Sequence, residues 1–340
     1  MNRVKYLDVA KGITIILVII GHCLPLYTTD LTDALFNFIY SFHMPLFFLI
    51  SGYFYKPGKL DLGRKAKQLL LPYFIISAIN LYWKCQRVPN VDINKNIIAI
   101  LYGNSSDIRK KAFEFNFPII GALWFLLALF FCFALYHLLW TVHQCYNIPL
   151  TFLVILTAAI SIELNDLTWL PFSLQPAMAS LVFFHAGNLF KQGNMFENPN
   201  NNPSKQALLL IGALWFLAFT YGTFRINENL YEGEILVFSG AIAGSYFFIL
   251  FSKWLSRCSI IEVVLSFIGR NSLYILCVHA LDNNFRNYIQ KYISTITVLK
   301  SYKGLLLYIV LRIAVIMIIS LLFIFVKTCV YKGIKKIKKI

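Results

Sequence analysis

The chain has 340 residues, of which 59% are hydrophobic and 14% charged, and its mean hydropathy is +0.67. A soluble domain of this size cannot bury so much apolar surface, which leaves an all-α polytopic membrane protein as the fold class. The formal net charge of +16 sits in short loops between apolar runs and in a basic tail, 327–340. That is the pattern of retention at an anionic cytoplasmic membrane face, not of a nucleic-acid partner.

The first apolar segment, about 7–26, opens with Asp8 and Lys11 and closes on Gly21-His22. Arg3 and Lys5 precede it, as in a signal peptide. His22, however, stands before Cys23 where a lipoprotein signal needs a small residue, and no small-x-small cleavage site follows, so a retained anchor is expected. In an ideal helix the 11-residue step from Lys11 to His22 turns about 20° past three full turns and rises about 16.5 Å. Asp8 lies one turn before Lys11 and shares its face. One stripe therefore carries a carboxylate and an ammonium at a membrane surface and an imidazole about half a bilayer away. The Asp8–Lys11 pair alone fits a headgroup anchor. For His22 two readings stand: a polar residue satisfied between helices, or a working imidazole. Ionisable groups inside spans are costly, and imidazole moves protons near neutral pH.

Nine further apolar segments follow, at about 34–54, 68–83, 118–140, 148–162, 170–190, 207–221, 235–251, 261–281 and 304–326, which makes ten spans in a single membrane domain, 1–340. The second carries His43, Pro45 and Ser51-Gly52. Proline frees a carbonyl and bends the helix, Ser-Gly permits close helix approach, and His43 is either a packing imidazole or part of a site. Trp124 opens the fourth segment, where an interfacial belt residue is the ordinary reading. The sixth holds Gln175 and His185, the latter towards the cytoplasm where hydration would satisfy it. The ninth is the other polar span: Arg270-Asn271-Ser272 with His279 seven residues after Ser272 on the same face. Arg270, and Arg312 in the tenth span, either pair with a carboxylate or snorkel. The seven cysteines are scattered, without a Cys-x-x-Cys pair, so neither a disulfide framework nor a metal centre is expected.

Alternation can be checked against charge. With the N-terminus inside, Arg3, Lys5, Lys56, Lys59, Arg64, Lys65, Lys67, Lys191, Lys205, Lys253, Arg257 and the tail lysines, Lys338 and Lys339 among them, all fall on the cytoplasmic side. The outside loops 27–33 and 161–168 carry acids (Asp30, Asp33, Glu163, Asp166) and no Lys or Arg, so both termini are expected inside. Loop 84–117, with six basic residues, and loop 282–303 are exceptions; long loops obey the rule weakly. Imidazoles at outer-half depth (His22, His279) and cations at the inner side (Lys11, Arg270) suit an anionic cofactor arriving from the cytoplasm and an acceptor arriving from outside. Coenzyme A, with an anionic head and a long thin arm, fits that geometry. No nucleotide-binding glycine loop, serine nucleophile elbow or internal repeat is present.

At these residues the chain resembles the membrane-bound acyltransferase 3 family, nearest its fucose 4-O-acetylase-like branch. Leu7-Asp8, Lys11 and His22 match the family's opening motif of Leu-Asp, then Arg or Lys, ten residues and His. Ser41-Phe-His43-Met-Pro45 with Ser51-Gly52, Leu123-Trp124-Phe125-Leu126, and Gly269-Arg270-Asn271-Ser272-Leu273-Tyr274 with His279 follow in order. The resemblance implies a multi-pass enzyme of the cell (inner) membrane moving an acetyl or similar acyl group from cytoplasmic acyl-CoA to a hydroxyl of a surface glycan or glycolipid. Acetyl-CoA would be a co-substrate, with no resident cofactor or metal. His22 would be the general base with His279 and Asp8 beside it. Lys11 and Arg270 would hold the donor; His43, Trp124, Asn271 and Ser272 would line the substrate. Lys11 stands where many members have arginine, which keeps the charge but loses the planar fork. The competing reading of the same histidines is the proton relay of a polysaccharide or lipid-linked-sugar exporter.

Overall fold

The structure, a computed structural model, describes residues 4–103, 105, 109–110, 113–114, 117–198, 201 and 203–337. Arg3, Lys111, Lys338 and Lys339, counted above among the loop and tail charges, lie outside these residues. The fold is almost wholly helical. Among the described residues, five stretches are long and apolar enough to cross a membrane: Lys5–Leu26, Asp30–Tyr53, Gly121–Tyr146, Glu234–Leu255 and Tyr302–Cys329. The bent pair Ser259–Arg270 and Ser272–Leu281 makes a sixth, and Leu150–Glu163 and Lys205–Tyr221 are shorter apolar helices.

Helix α1 (Lys5–Gly21) stands at the centre, with His22 at its C-terminal end. It packs against α3 (His43–Tyr53), α10 (Glu234–Leu255), α11 (Ser259–Arg270), α12 (Ser272–Leu281) and α14 (Tyr302–Ile337). The α1–α11 crossing is backbone against backbone. A Cβ on Gly12 would lie 2.1 Å from the Leu265 carbonyl oxygen, and one on Gly269 would lie 1.8 Å from that of Asp8. Small residues at the crossing let two helices touch at this distance, the usual device where lipid supplies no hydrophobic drive between helices. Gly52 of α3 and Gly187 of α8 (Leu174–Gln192) make the same kind of contact, which realises the close approach expected at Ser51-Gly52.

Two of the expected spans are broken. The second is α2 (Asp30–Tyr40) and then α3, interrupted at Ser41–Phe42. Pro45 has no N–H and its ring excludes the carbonyl four residues back, so it is tolerated only in the first turn of a new helix. Across the break His43 Nδ1 donates to the Ile39 carbonyl at 2.8 Å, and Trp215 Nε1 donates to Ser41 Oγ at 2.8 Å. The ninth bends by 62° between α11 and α12. There Asn271 turns its amide back onto the Phe267 carbonyl at 2.9 Å.

The remaining helices are α4 (Leu62–Arg87), α5 (Ile93–Tyr102), α6 (Trp124–Tyr146), α7 (Leu150–Glu163), α9 (Lys205–Tyr221) and α13 (Arg286–Ser294). Asp61 caps α4 by accepting from the Arg64 N–H at 2.9 Å. Two short antiparallel ribbons accompany the helices. These are β1 (Arg109–Lys110) with β2 (Phe113–Glu114), and β3 (Thr223–Arg225) with β4 (Leu230–Glu232). Asn229 turns the second ribbon with a left-handed φ of 53°. His185 is not hydrated. It is buried, with Tyr136 Oη at 2.8 Å from Nδ1 and Thr151 Oγ1 at 2.9 Å from Nε2.

Candidate active site

A cavity of about 630 Å³ runs between α1, α3, α4, α6 and α12. The helix directions fix its polarity. At one end are Lys11, early in α1, the α3–α4 connection with Lys56, Lys59 and Asp61, and Arg64 and Lys65 in the first turn of α4. At the other are His22 at the end of α1, His43 at the start of α3, Tyr40, and Trp124 at the start of α6. Beyond them Ser105, Phe224 and Asn227 line the cavity, joined by Ser105 Oγ donating to the Asn227 carbonyl at 2.9 Å.

The charged end holds five cations against one carboxylate. Asp61 already accepts from the Arg64 N–H, and Lys65 Nζ sits 3.8 Å above the Phe133 ring. Lys11 is fixed by an ion pair to Asp8 at 2.7 Å, so Asp8 orients the lysine and does not itself line the cavity. Such a cluster suits a polyanion, since each charge-assisted contact to phosphate is roughly twice a neutral hydrogen bond.

The opposite end is a chain of rings. The centroids of His22 and His279 are 5.0 Å apart, those of His22 and Tyr40 6.5 Å, and those of Tyr40 and His43 4.7 Å. His22 is exposed only in the sense that its ring opens into the cavity, whereas His43 and His279 are buried. Because a carbonyl can only accept, His43 donates through Nδ1 to Ile39. Arg312 approaches this cluster from α14. It pairs with Asp282, and Nη1 donates to the His22 carbonyl at 3.1 Å.

An ammonium-rich mouth joined by one cavity to a cluster of imidazoles is the layout of a group-transfer site. The family model described as an acyltransferase domain matches residues 4–327. The chain belongs to the acyltransferase 3 family. It is an integral membrane acyltransferase. Among similar proteins is the nodulation protein NolL of Mesorhizobium japonicum, 31% identical over 267 residues, covering 72% of this chain and 66% of that protein. NolL of Sinorhizobium fredii is 28% identical over 317 residues, covering 85% and 80%. The chain thus spans about two thirds of the first relative and four fifths of the second. No solved structure matches it significantly.

Of the residues singled out in this acyltransferase from sequence, Lys11, His22, His43, Trp124 and Ser272 line the cavity. His279 stands behind His22. Asn271 spends its amide on the Phe267 carbonyl, and Arg270 is exposed, over the Phe267 ring and outside the lining. The expected donor contact of Arg270 therefore has no cavity wall to act from in this arrangement. Sequence reasoning did not single out Tyr40, nor Lys56, Lys59, Arg64 and Lys65 as a binding mouth. The last four were visible only as cytoplasmic charge, although a cluster of four bases within ten residues beside an Asp cap is a usable signal. Among the described residues no group of three or more His, Cys, Asp or Glu side chains could hold a metal ion.

Proposed function

We propose that the protein moves an acetyl or similar acyl group from cytoplasmic acyl-CoA to a hydroxyl of a surface glycan or glycolipid. The observation that carries this reading is the cavity with five cations at its first end and His22 at its second. The phosphates of the donor would rest on Lys11, Lys56, Lys59, Arg64 and Lys65, and its thin arm would span the roughly 16.5 Å rise between Lys11 and His22. His22 would accept the hydroxyl proton as that oxygen attacks the thioester carbon. The new C–O bond forms, the C–S bond breaks, and the proton passes to the leaving thiolate. A positioned base contributes typically 10²–10⁴-fold. Ser272 and Trp124, both on the cavity wall, are the candidates to steady the acceptor and the developing oxyanion.

This reading needs ten spans with both termini cytoplasmic in the inner membrane, with α4, α7, α8 and α9 crossing despite their shorter or more polar sequences. The loop charge asymmetry supports it. The test is acceptor-dependent release of coenzyme A by the purified protein, joined to mass spectrometry of surface glycans with and without the gene. A proton-coupled exporter would instead release no thiol, and a pH gradient would drive uptake into vesicles.

A further inference from the structure

The buried ion pair beside the imidazoles has no role in the reading above. Arg312 and Asp282 are 3% and 0% exposed. Burying two charges costs more than their attraction reliably returns, and a well-packed neutral pair in their place is often as stable. The pair is thus poorly explained as helix glue, and its geometry is specific. Arg312 Nε donates to Asp282 Oδ2, while Nη1 reaches the His22 carbonyl at 3.1 Å and Cys23 Sγ at 3.5 Å. That carbonyl lies at the C-terminal end of α1, where helix carbonyls have no partner of their own. One planar fork therefore ties α14 to the end of α1 and to the turn that follows α12.

Asp282 comes three residues after His279, one turn along and on the same side. The His279 Nδ1 and Asp282 Oδ1 atoms are both buried, and neither has a hydrogen-bond partner among the described residues. A buried polar atom without a partner carries its full desolvation penalty, so two such atoms one turn apart mark a contact completed in the working state. The His279 ring in turn lies 5.0 Å from that of His22.

We propose that Asp282 and Arg312 are positioning residues for acyl transfer. Arg312 fixes the His22 main chain and the Asp282 carboxylate together. The free Asp282 oxygen takes the His279 Nδ1–H and holds that ring against His22. When His22 carries the hydroxyl proton, Asp282 supplies the compensating charge that keeps an imidazolium tolerable beside a guanidinium. The pair itself binds no proton, because the proton leaves with the thiolate. Arg286, Tyr308 and Cys23 are the other ionisable groups in electrostatic reach of Asp282 among the described residues, and none contributes a carboxylate. The proposal rests on the general-base reading of His22.

The test compares Asp282→Asn/Arg312→Gln, a neutral pair of similar shape, with Arg312→Lys and His22→Ala, measuring thermal unfolding and kcat and KM for acyl-CoA. The double variant should unfold near the wild-type temperature yet lose at least about tenfold in kcat with KM for the donor unchanged, the signature of a misheld base. Arg312→Lys keeps the charge but meets only one of the two partners, and should lose several-fold in kcat. Turnover within twofold of wild type in the double variant, or a loss confined to KM, overturns the proposal. Should the double variant not accumulate, Arg312→Lys decides alone, with wild-type turnover overturning it. An active His22→Ala would overturn the general-base reading itself. An inactive His22→Ala beside a fully active double variant would remove only the positioning role.

Discussion

Gly269→Ala probes the contact that sets the distance between the two imidazoles. The added methyl would meet the Asp8 carbonyl oxygen at 1.8 Å and the Gly12 nitrogen at 2.8 Å. Both are backbone atoms inside helices and cannot swing aside as a flexible side chain would. Reaching even a tight 3.0 Å approach needs a displacement of about 1.2 Å of α11 from α1. Overpacking of this kind costs about 1–3 kcal/mol. The displacement also passes along α11 into α12, which carries His279, while His22 rides on α1. A misplacement near 1 Å at a reacting centre costs on the order of 10²-fold in rate. The expected outcome is a lower unfolding temperature together with turnover reduced by about that factor. Thermal unfolding and acceptor-dependent coenzyme A release on the purified protein measure both. Gly212→Ala is the control, since its methyl would meet nothing within 4 Å inside α9 and should be neutral or stabilise by about 0.5–1 kcal/mol. Wild-type stability and turnover in Gly269→Ala would refute the claim that this crossing positions the site.

Lys11→Gln should weaken acyl-CoA binding about ten- to a hundredfold, the worth of one charge-assisted contact of roughly 1.5–3 kcal/mol, while Lys11→Arg retains much of it; a titration of donor at fixed acceptor reads this, and an unchanged dissociation constant for Lys11→Gln removes the anchoring role. A cysteine placed at Asp30, the first residue of α2, should react with an impermeant thiol reagent from outside intact cells. Reaction only after permeabilisation would invert the topology and put the cationic mouth on the wrong side.

The parts of the fold that could be read in advance are those fixed within one element. The Lys11–His22 register holds because both sit on one helix whose rise and twist are set by backbone geometry. Pro45 announced a bend, but where the chain would break depended on which carbonyl its ring excludes and on His43 and Trp215 covering the gap. The 62° turn at Asn271 has no proline behind it, so no residue type announces it. The β3–β4 ribbon escaped notice because its strands are three residues each, too short for alternation to register. Span count is the least legible quantity. Helix α4 carries Arg64, Lys65 and Lys67 in its first turns, and α8 carries Gln175, His185 and Asn188, which the bundle satisfies internally; both sets dilute the apolar signal that defines a span. In the site, Tyr40 and the pairing of Arg312 with Asp282 30 residues earlier are tertiary facts that no spacing encodes.

The most direct test of the account is His22→Ala, a substitution at a ring that opens into the cavity. Donor binding and acceptor-dependent coenzyme A release should be measured on the same purified sample. The cationic mouth is untouched by the change, so the acyl-CoA dissociation constant should stay within about twofold of wild type. Release should fall by about 10²–10⁴-fold, the contribution of a positioned general base. Near-wild-type release with intact donor binding would contradict the account, because the imidazole at the end of the cavity opposite the cationic mouth would then not be what moves the proton.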